Sequence, residues 1–149
     1  MFKKHASIIE SIAFSPNGRS LVSGSHDSSV RMWNLRDGSS KVMPATGDPN
    51  IFFSVAFSPD GRHIAAGDFD NTLWIWDTRM HKLVAKWRGH THRVTCIEFT
   101  PDGQRLMSGS RDQTIKYWDM SSLGTVSEPQ RFPEIRAFSG HTVRFLCLL

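Results

Sequence analysis

The 149-residue chain has few of the features that mark a secreted, membrane-bound or zinc-binding protein. It has only two cysteines, Cys96 and Cys147, and neither belongs to a CxxC pair, so no zinc knuckle is implied. Each lies in an apolar run, where a small buried hydrophobe is expected, and so few thiols point to a reducing compartment. No stretch reaches the ~18 apolar residues that a membrane helix needs. The N-terminal MFKKHASIIES starts with basic residues but has no apolar segment long enough for a signal peptide. An intracellular protein without a membrane partner is therefore expected. Charge is also thin: 18 basic residues stand against 14 acidic ones, a net of +4, and the densest basic run is Lys3-Lys4. Scattered charge reads as a solvated surface, whereas a nucleic-acid face wants a basic stripe, so direct nucleic-acid binding is not expected. The 11% aromatic content, by contrast, is enough to exclude a disordered chain.

The chain is rich in repetition. SGSHDSSVRMWN begins at Ser23, AGDFDNTLWIWD at Ala66 and SGSRDQTIKYWD at Ser108. Asp27, Asp70 and Asp112 are spaced by 43 and 42 residues, as are Trp33, Trp76 and Trp118, and Phe14, Phe57 and Phe99. Three independent markers with one period define an internal repeat. Each unit reads as four strands. In the third, VTCIEF (94–99) leads through TPDG (100–103) to RLMSGS (105–110), then through RDQT (111–114) to IKYW (115–118). SPNG (15–18) and SPDG (58–61) repeat the first turn, with proline presetting φ and glycine relieving the exit. KLVAKW (82–87) supplies the fourth strand of the second unit. LWIW (73–76) is apolar on both faces, as a strand packed between two neighbouring sheets requires.

A period of 40 to 45 with a Gly-His start and a Trp-Asp end, here Gly89-His90 and Trp118-Asp119, resembles the WD-repeat (WD40) β-propeller family over nearly the whole chain. The resemblance implies an all-β fold: three four-stranded blades plus the first strand of a fourth, in an incomplete ring. The expected repeats are 1–39, 40–80 and 81–120, then a loop over 121–137 and the start of a further repeat at 138–149, with a strand at Phe145 to Leu149. It also implies a buried hydrogen-bonded tetrad per blade: His5, Ser23, Asp27 and Trp33 in the first, His90, Ser108, Asp112 and Trp118 in the third. In the second repeat Asp48 replaces the histidine and Ala66 the serine, leaving a partial tetrad of Asp70 and Trp76 and a blade braced by one or two fewer buried hydrogen bonds. Serine, histidine and aspartate could instead form a hydrolase triad. A catalytic constellation is needed once, however, and this one recurs at the repeat period, which speaks for architecture. No catalytic residue, metal ligand, cofactor or small-molecule substrate is expected, and the isolated His63, His81 and His92 read as surface residues at strand ends.

The expected function is therefore a protein-interaction scaffold. By family position, the partner-binding rim at the channel entrance comprises Ile8, Glu10 and His26, then Ile51, Phe53 and Phe69, then Arg93, Thr95 and Arg111, with Arg144 from the fourth start. Phe53 has an alternative place in the core, because strand starts carry bulges that shift facing. The order of repeats resembles the C-terminal propeller of the fungal Tup-type general transcriptional corepressor: a second unit lacking His and Ser, a complete third opening GHTHRV, then a long polar insertion before FSGH. That resemblance implies a nuclear corepressor piece docking DNA-bound repressors. A scaffold of another intracellular complex, in signalling, ubiquitin ligation or RNA processing, is the alternative. Further blades or self-association would be needed to close the ring.

Overall fold

The computed structural model describes residues 4–47, 50–123 and 135–139. Asp48, Arg144 and the strand expected at Phe145 to Leu149 lie outside them. The described residues form three four-stranded antiparallel sheets, each following chain order from an inner to an outer strand. The first contains β1 (Ile9–Phe14), β2 (Ser20–Ser25), β3 (Val30–Asn34) and β4 (Ser40–Val42). The second contains β5 (Phe52–Phe57), β6 (His63–Asp68), β7 (Thr72–Asp77) and β8 (Lys82–Arg88). The third contains β9 (Val94–Phe99), β10 (Arg105–Ser110), β11 (Thr114–Asp119) and β12 (Ile135–Ser139).

Two boundaries differ from the sequence reading. Residues 135–139, expected at the end of a loop and the start of a further repeat, form β12 and pair antiparallel with β11. β4, expected to open the second repeat, closes the first sheet by pairing with β3. In both cases the third strand offers an unpaired ladder edge, and the next segment able to extend fills it. The long polar insertion after Asp119 concealed β12.

The turns follow from composition. Gly18, Gly61 and Gly103 all have φ near +70°, and their N–H groups donate to Ser15, Ser58 and Thr100 carbonyls at 2.8 Å. In each turn the Ser or Thr hydroxyl also donates to the Asn or Asp two residues on. This small side-chain network makes the hairpin local and self-contained.

The sheets stack face to face through two apolar layers. β7 serves both: Trp74 and Trp76 enter the layer with Val22, Val30, Phe52, Val55 and Ile64, while Leu73 and Ile75 enter the layer with Val94, Ile97, Phe99, Leu106 and Trp118. Close approach is set by glycine in the second strand of the first and second blades. A Cβ on Gly67 would stand 2.5 Å from Val94 Cγ1, and one on Gly24 would stand 2.9 Å from Val55 Cγ1. Hydroxyls of the inner strands tie neighbouring blades. Ser11 Oγ accepts the Val55 N–H at 3.2 Å, and Ser54 Oγ accepts the Ile97 N–H at 3.1 Å.

Among the described residues, nothing packs on one face of the first blade. Ile9, Ile12 and Phe14 occupy the repeat positions of Phe52, Val55 and Phe57, and of Val94, Ile97 and Phe99. Val55 and Ile97 are almost fully buried by the preceding blade, whereas Ile12 is 37% and Phe14 64% exposed.

Candidate protein-docking surface

The geometry of the first and third blades explains the recurring polar residues. In the third, the Trp118 indole N–H donates to Ser108 Oγ at 2.7 Å, Ser108 Oγ lies 2.7 Å from His90 Nε2, and His90 Nδ1 lies 2.7 Å from Asp112 Oδ2. The chain is satisfied throughout when the serine hydroxyl donates to Nε2 and the Nδ1–H donates to the carboxylate. Asp112 also accepts the N–H groups of Thr91 and Thr114 and the Thr114 hydroxyl. The first blade repeats this with His5, Ser23, Asp27 and Trp33 at 2.6–2.7 Å, and with the Ser29 hydroxyl on Asp27.

Electrostatics agree with a neutral imidazole. Burial lowers the His90 pKa from its usual 6.5, against the raising influence of the Asp112 hydrogen bond and charge, and with a further lowering by Lys116. The His90–Asp112 contact is therefore a hydrogen bond to a carboxylate and not a charge pair. Burial works to raise the Asp112 carboxyl, but hydrogen bonds from Thr114, His90 and Thr91 prevail and hold it at about 2. The same forces keep Asp27 well below the usual carboxylate range. Ser108 is 1% exposed and its oxygen is engaged on both sides, so no substrate can reach it as a nucleophile would require.

The second blade departs from the sequence reading. Asp70 is exposed and its carboxylate makes no hydrogen bond among the described residues, so Asp70 and Trp76 share no network there. With Ala66 in place of serine, the Trp76 indole N–H turns to the Pro44 carbonyl at 2.6 Å. The bracing acid is Asp68, buried completely. Its Oδ2 accepts the Trp74 indole N–H at 2.6 Å and the Asn50 side-chain amide at 3.0 Å, and its Oδ1 accepts the Thr72 N–H at 2.8 Å. Burial raises its pKa, although the bonds from Trp74 and Thr72 pull the other way. Far from lacking bonds, this blade has exchanged one buried network for another. The signal was present in the sequence: Asp68 and Trp74 stand where the other repeats have Ser25 and Arg31, or Ser110 and Lys116.

Around the mouth of the inner strands, the structure brings most of the expected rim residues together. One backbone bond recurs in every blade: His26 N–H to Ile8 C=O, Phe69 N–H to Ile51 C=O, and Arg111 N–H to Arg93 C=O, at 2.9, 2.9 and 3.1 Å. This places the strand start beside the residue preceding the turn aspartate. Glu10 bonds His26 Nε2 at 2.6 Å, and the His26 ring meets Phe53 edge-on, centroids 5.9 Å apart. Phe53 lies beside Phe69 at 6.3 Å. The Arg93 guanidinium covers both rings, 5.2 Å from Phe53 and 5.9 Å from Phe69. Phe53 thus faces the rim and is half-buried there, while its neighbour Phe52 fills the core. Phe69 is 48% exposed, and Ile8 is exposed too. Burial and the charge of Arg111 lower the Arg93 pKa, with Glu10 opposing. Arg93 Nε is buried without a partner. Thr95 is half-buried, and its hydroxyl makes a long bond of 3.4 Å to the Gly109 carbonyl. Cys96, expected as a small buried hydrophobe, is half-buried and disulfide-bonded.

The family model described as WD40, WD domain, G-beta repeat matches residues 1–34, 41–77 and 81–119. The chain belongs to the WD40 repeat family. The solved structures titled "Crystal structure of RRP9 WD40 repeats" and "Structure of U3-55K" resemble these WD40 blades with a TM-score of 0.83 over 95% of the chain, at 22% identity. The chain spans 41% and 42% of those two chains, so the likeness concerns the fold of the shared blades. No curated protein sequence matches the chain. Nothing in these comparisons supports the Tup-type resemblance in particular. WD40 repeats are in general non-catalytic scaffolds that mediate protein–protein interactions, which agrees with the burial of Ser23 and Ser108.

Proposed function

We propose that these blades form a protein-docking platform whose contact surface is the rim built from Ile8, Glu10, His26, Phe53, Phe69, Arg93 and Arg111. The observation that carries this reading is the Phe53–Phe69 pair under the Arg93 guanidinium, with Phe69 half-exposed at the surface. Aromatic and arginine side chains dominate binding hot spots, because they bury large areas at low entropic cost. Arg93 stands beside the like charge of Arg111, and its acidic neighbour Glu10 is already bonded to His26, so the rim favours an apolar segment flanked by acidic residues. The partner is a protein or peptide, and the corepressor role has only the order of the repeats behind it.

The test uses fluorescent peptides with an aromatic or leucine centre flanked by Asp and Glu, followed by polarisation. Phe69→Ser should weaken binding about tenfold with little change in the thermal midpoint, because Phe69 lies in a turn outside both apolar layers. Unfolding of the variant, or an unchanged affinity, would remove this surface from consideration.

A further inference from the structure

At the opposite end of the first blade lies a second concavity. The rim residue His26 lies in the β2–β3 turn, whereas this cavity is bounded by the β1–β2 and β3–β4 turns, at the other end of an antiparallel sheet. It has a volume of about 810 Å³ and is lined by Arg19, Arg36, Lys41 and His81 together with Ser20, Ser39, Ser40, Asn34, Met32 and Leu35. His81 reaches it from the β7–β8 turn of the second blade, so two blades contribute.

The charge is one-sided. Among the described residues, three cations line the cavity and no carboxylate does. None of Arg19, Arg36 and Lys41 takes part in an ion pair among the described residues. The neighbouring acid, Asp37, is spent on its own turn, accepting the Ser39 N–H at 2.8 Å and the Asn34 amide at 3.3 Å. His81 adds an independent observation. It holds φ at +51°, a conformation that non-glycine side chains rarely adopt. Its Nδ1 bonds the Arg79 carbonyl at 3.2 Å, while its Nε2 is buried with no partner. The left-handed backbone of His81 thus stands at the wall of a cavity lined by three cations.

We propose that this cavity binds a small phosphate-bearing ligand of the di- or oligophosphate class. Such an anion offers several oxygens to cations arriving from different walls, matching guanidinium forks and an ammonium, with hydroxyls of Ser20, Ser39 and Ser40 as further donors. The cavity exceeds a single phosphate in volume, which favours the larger members of the class. This inference is independent of the rim and of its partner.

Calorimetric titration of the whole chain with inorganic pyrophosphate tests it, with inorganic phosphate and sulfate at matched ionic strength. Saturable one-to-one binding of pyrophosphate is expected, tighter than phosphate and much tighter than sulfate. Arg19→Gln and Lys41→Gln should each weaken it about tenfold, the loss of one charge-assisted contact, while Arg88→Gln, removing the same charge elsewhere, should change it less than about twofold. Absence of saturable binding overturns the proposal. Equal losses in Arg88→Gln, or sulfate binding as tightly as pyrophosphate, overturn it too, by showing general attraction to a basic surface. Arg19 and Lys41 lie outside both apolar layers, so folding is preserved in the decisive variants.

Discussion

The second blade offers the sharpest test, because repeat position singles out Asp70 and the structure singles out Asp68. Replacing Asp68 by alanine strands three donors, the Trp74 indole, the Asn50 amide and the Thr72 N–H. Each buried group left unsatisfied costs about 1–3 kcal/mol, and the three do not add fully, since water enters the new cavity. Removing a carboxylate that burial disfavours returns part of that sum. A net loss of about 2–3 kcal/mol follows. Asp112→Ala leaves the His90 Nδ1–H and the Thr91 and Thr114 N–H groups without their acceptor, for a loss of similar size. Asp70→Ala removes an exposed side chain with no hydrogen bond and should stay within about 0.5 kcal/mol. With a urea m-value of about 2 kcal/mol per molar, Asp68→Ala and Asp112→Ala should each lower the midpoint by about 1 M, and Asp70→Ala should barely move it. If Asp70→Ala costs as much as Asp68→Ala, the buried network is not what braces this blade.

Acid should act through His90. Because the fold lowers its pKa, the unfolded chain binds the proton more readily, so its contribution to stability is complete above pH 6.5 and is lost as pH falls below that value. Protonation of Asp68, whose pKa is raised, acts in the opposite sense, and Asp112 joins the loss only as pH falls from 3.8 towards 2. Urea midpoints should therefore decline from about pH 7 to about pH 5.5, and the decline should flatten in His90→Gln; an unaltered slope in that variant refutes the assignment. The bare face of the first blade should drive self-association, because Ile12 and Phe14 expose positions that the other blades bury. Light scattering should show larger species that Ile12→Lys with Phe14→Glu reduces, and a monodisperse monomer before substitution would contradict this.

The period exposed the architecture more completely than it exposed the chemistry. Strands such as Val94–Phe99 and Arg105–Ser110 lie where the alternation and the Pro-Gly turns place them, because hairpin geometry is decided by a few neighbouring residues. Blade boundaries were harder to read. β4 and β12 close sheets that begin far upstream, and the decision belongs to whichever unpaired edge is nearest in space. The second blade shows why position is an incomplete guide to a buried network. Deleting His and Ser from the repeat suggested lost bonds, yet a buried donor must find some acceptor, and two substitutions supplied it together. Asp68 alone would bury an uncompensated carboxylate, and Trp74 alone would bury an indole N–H with nowhere to donate. Side by side, at 2.6 Å, each removes the other's cost. The same pair then shapes the rim. Asn50 is held by Asp68, its own side chain accepts the Ile51 N–H at 3.1 Å, and Phe69 follows Asp68 directly, so the network under the blade fixes both limbs that present Phe53 and Phe69. The blade that departs furthest from the repeat is thus the one that presents Phe53 and Phe69, the aromatic pair of the proposed docking surface, above its exchanged network.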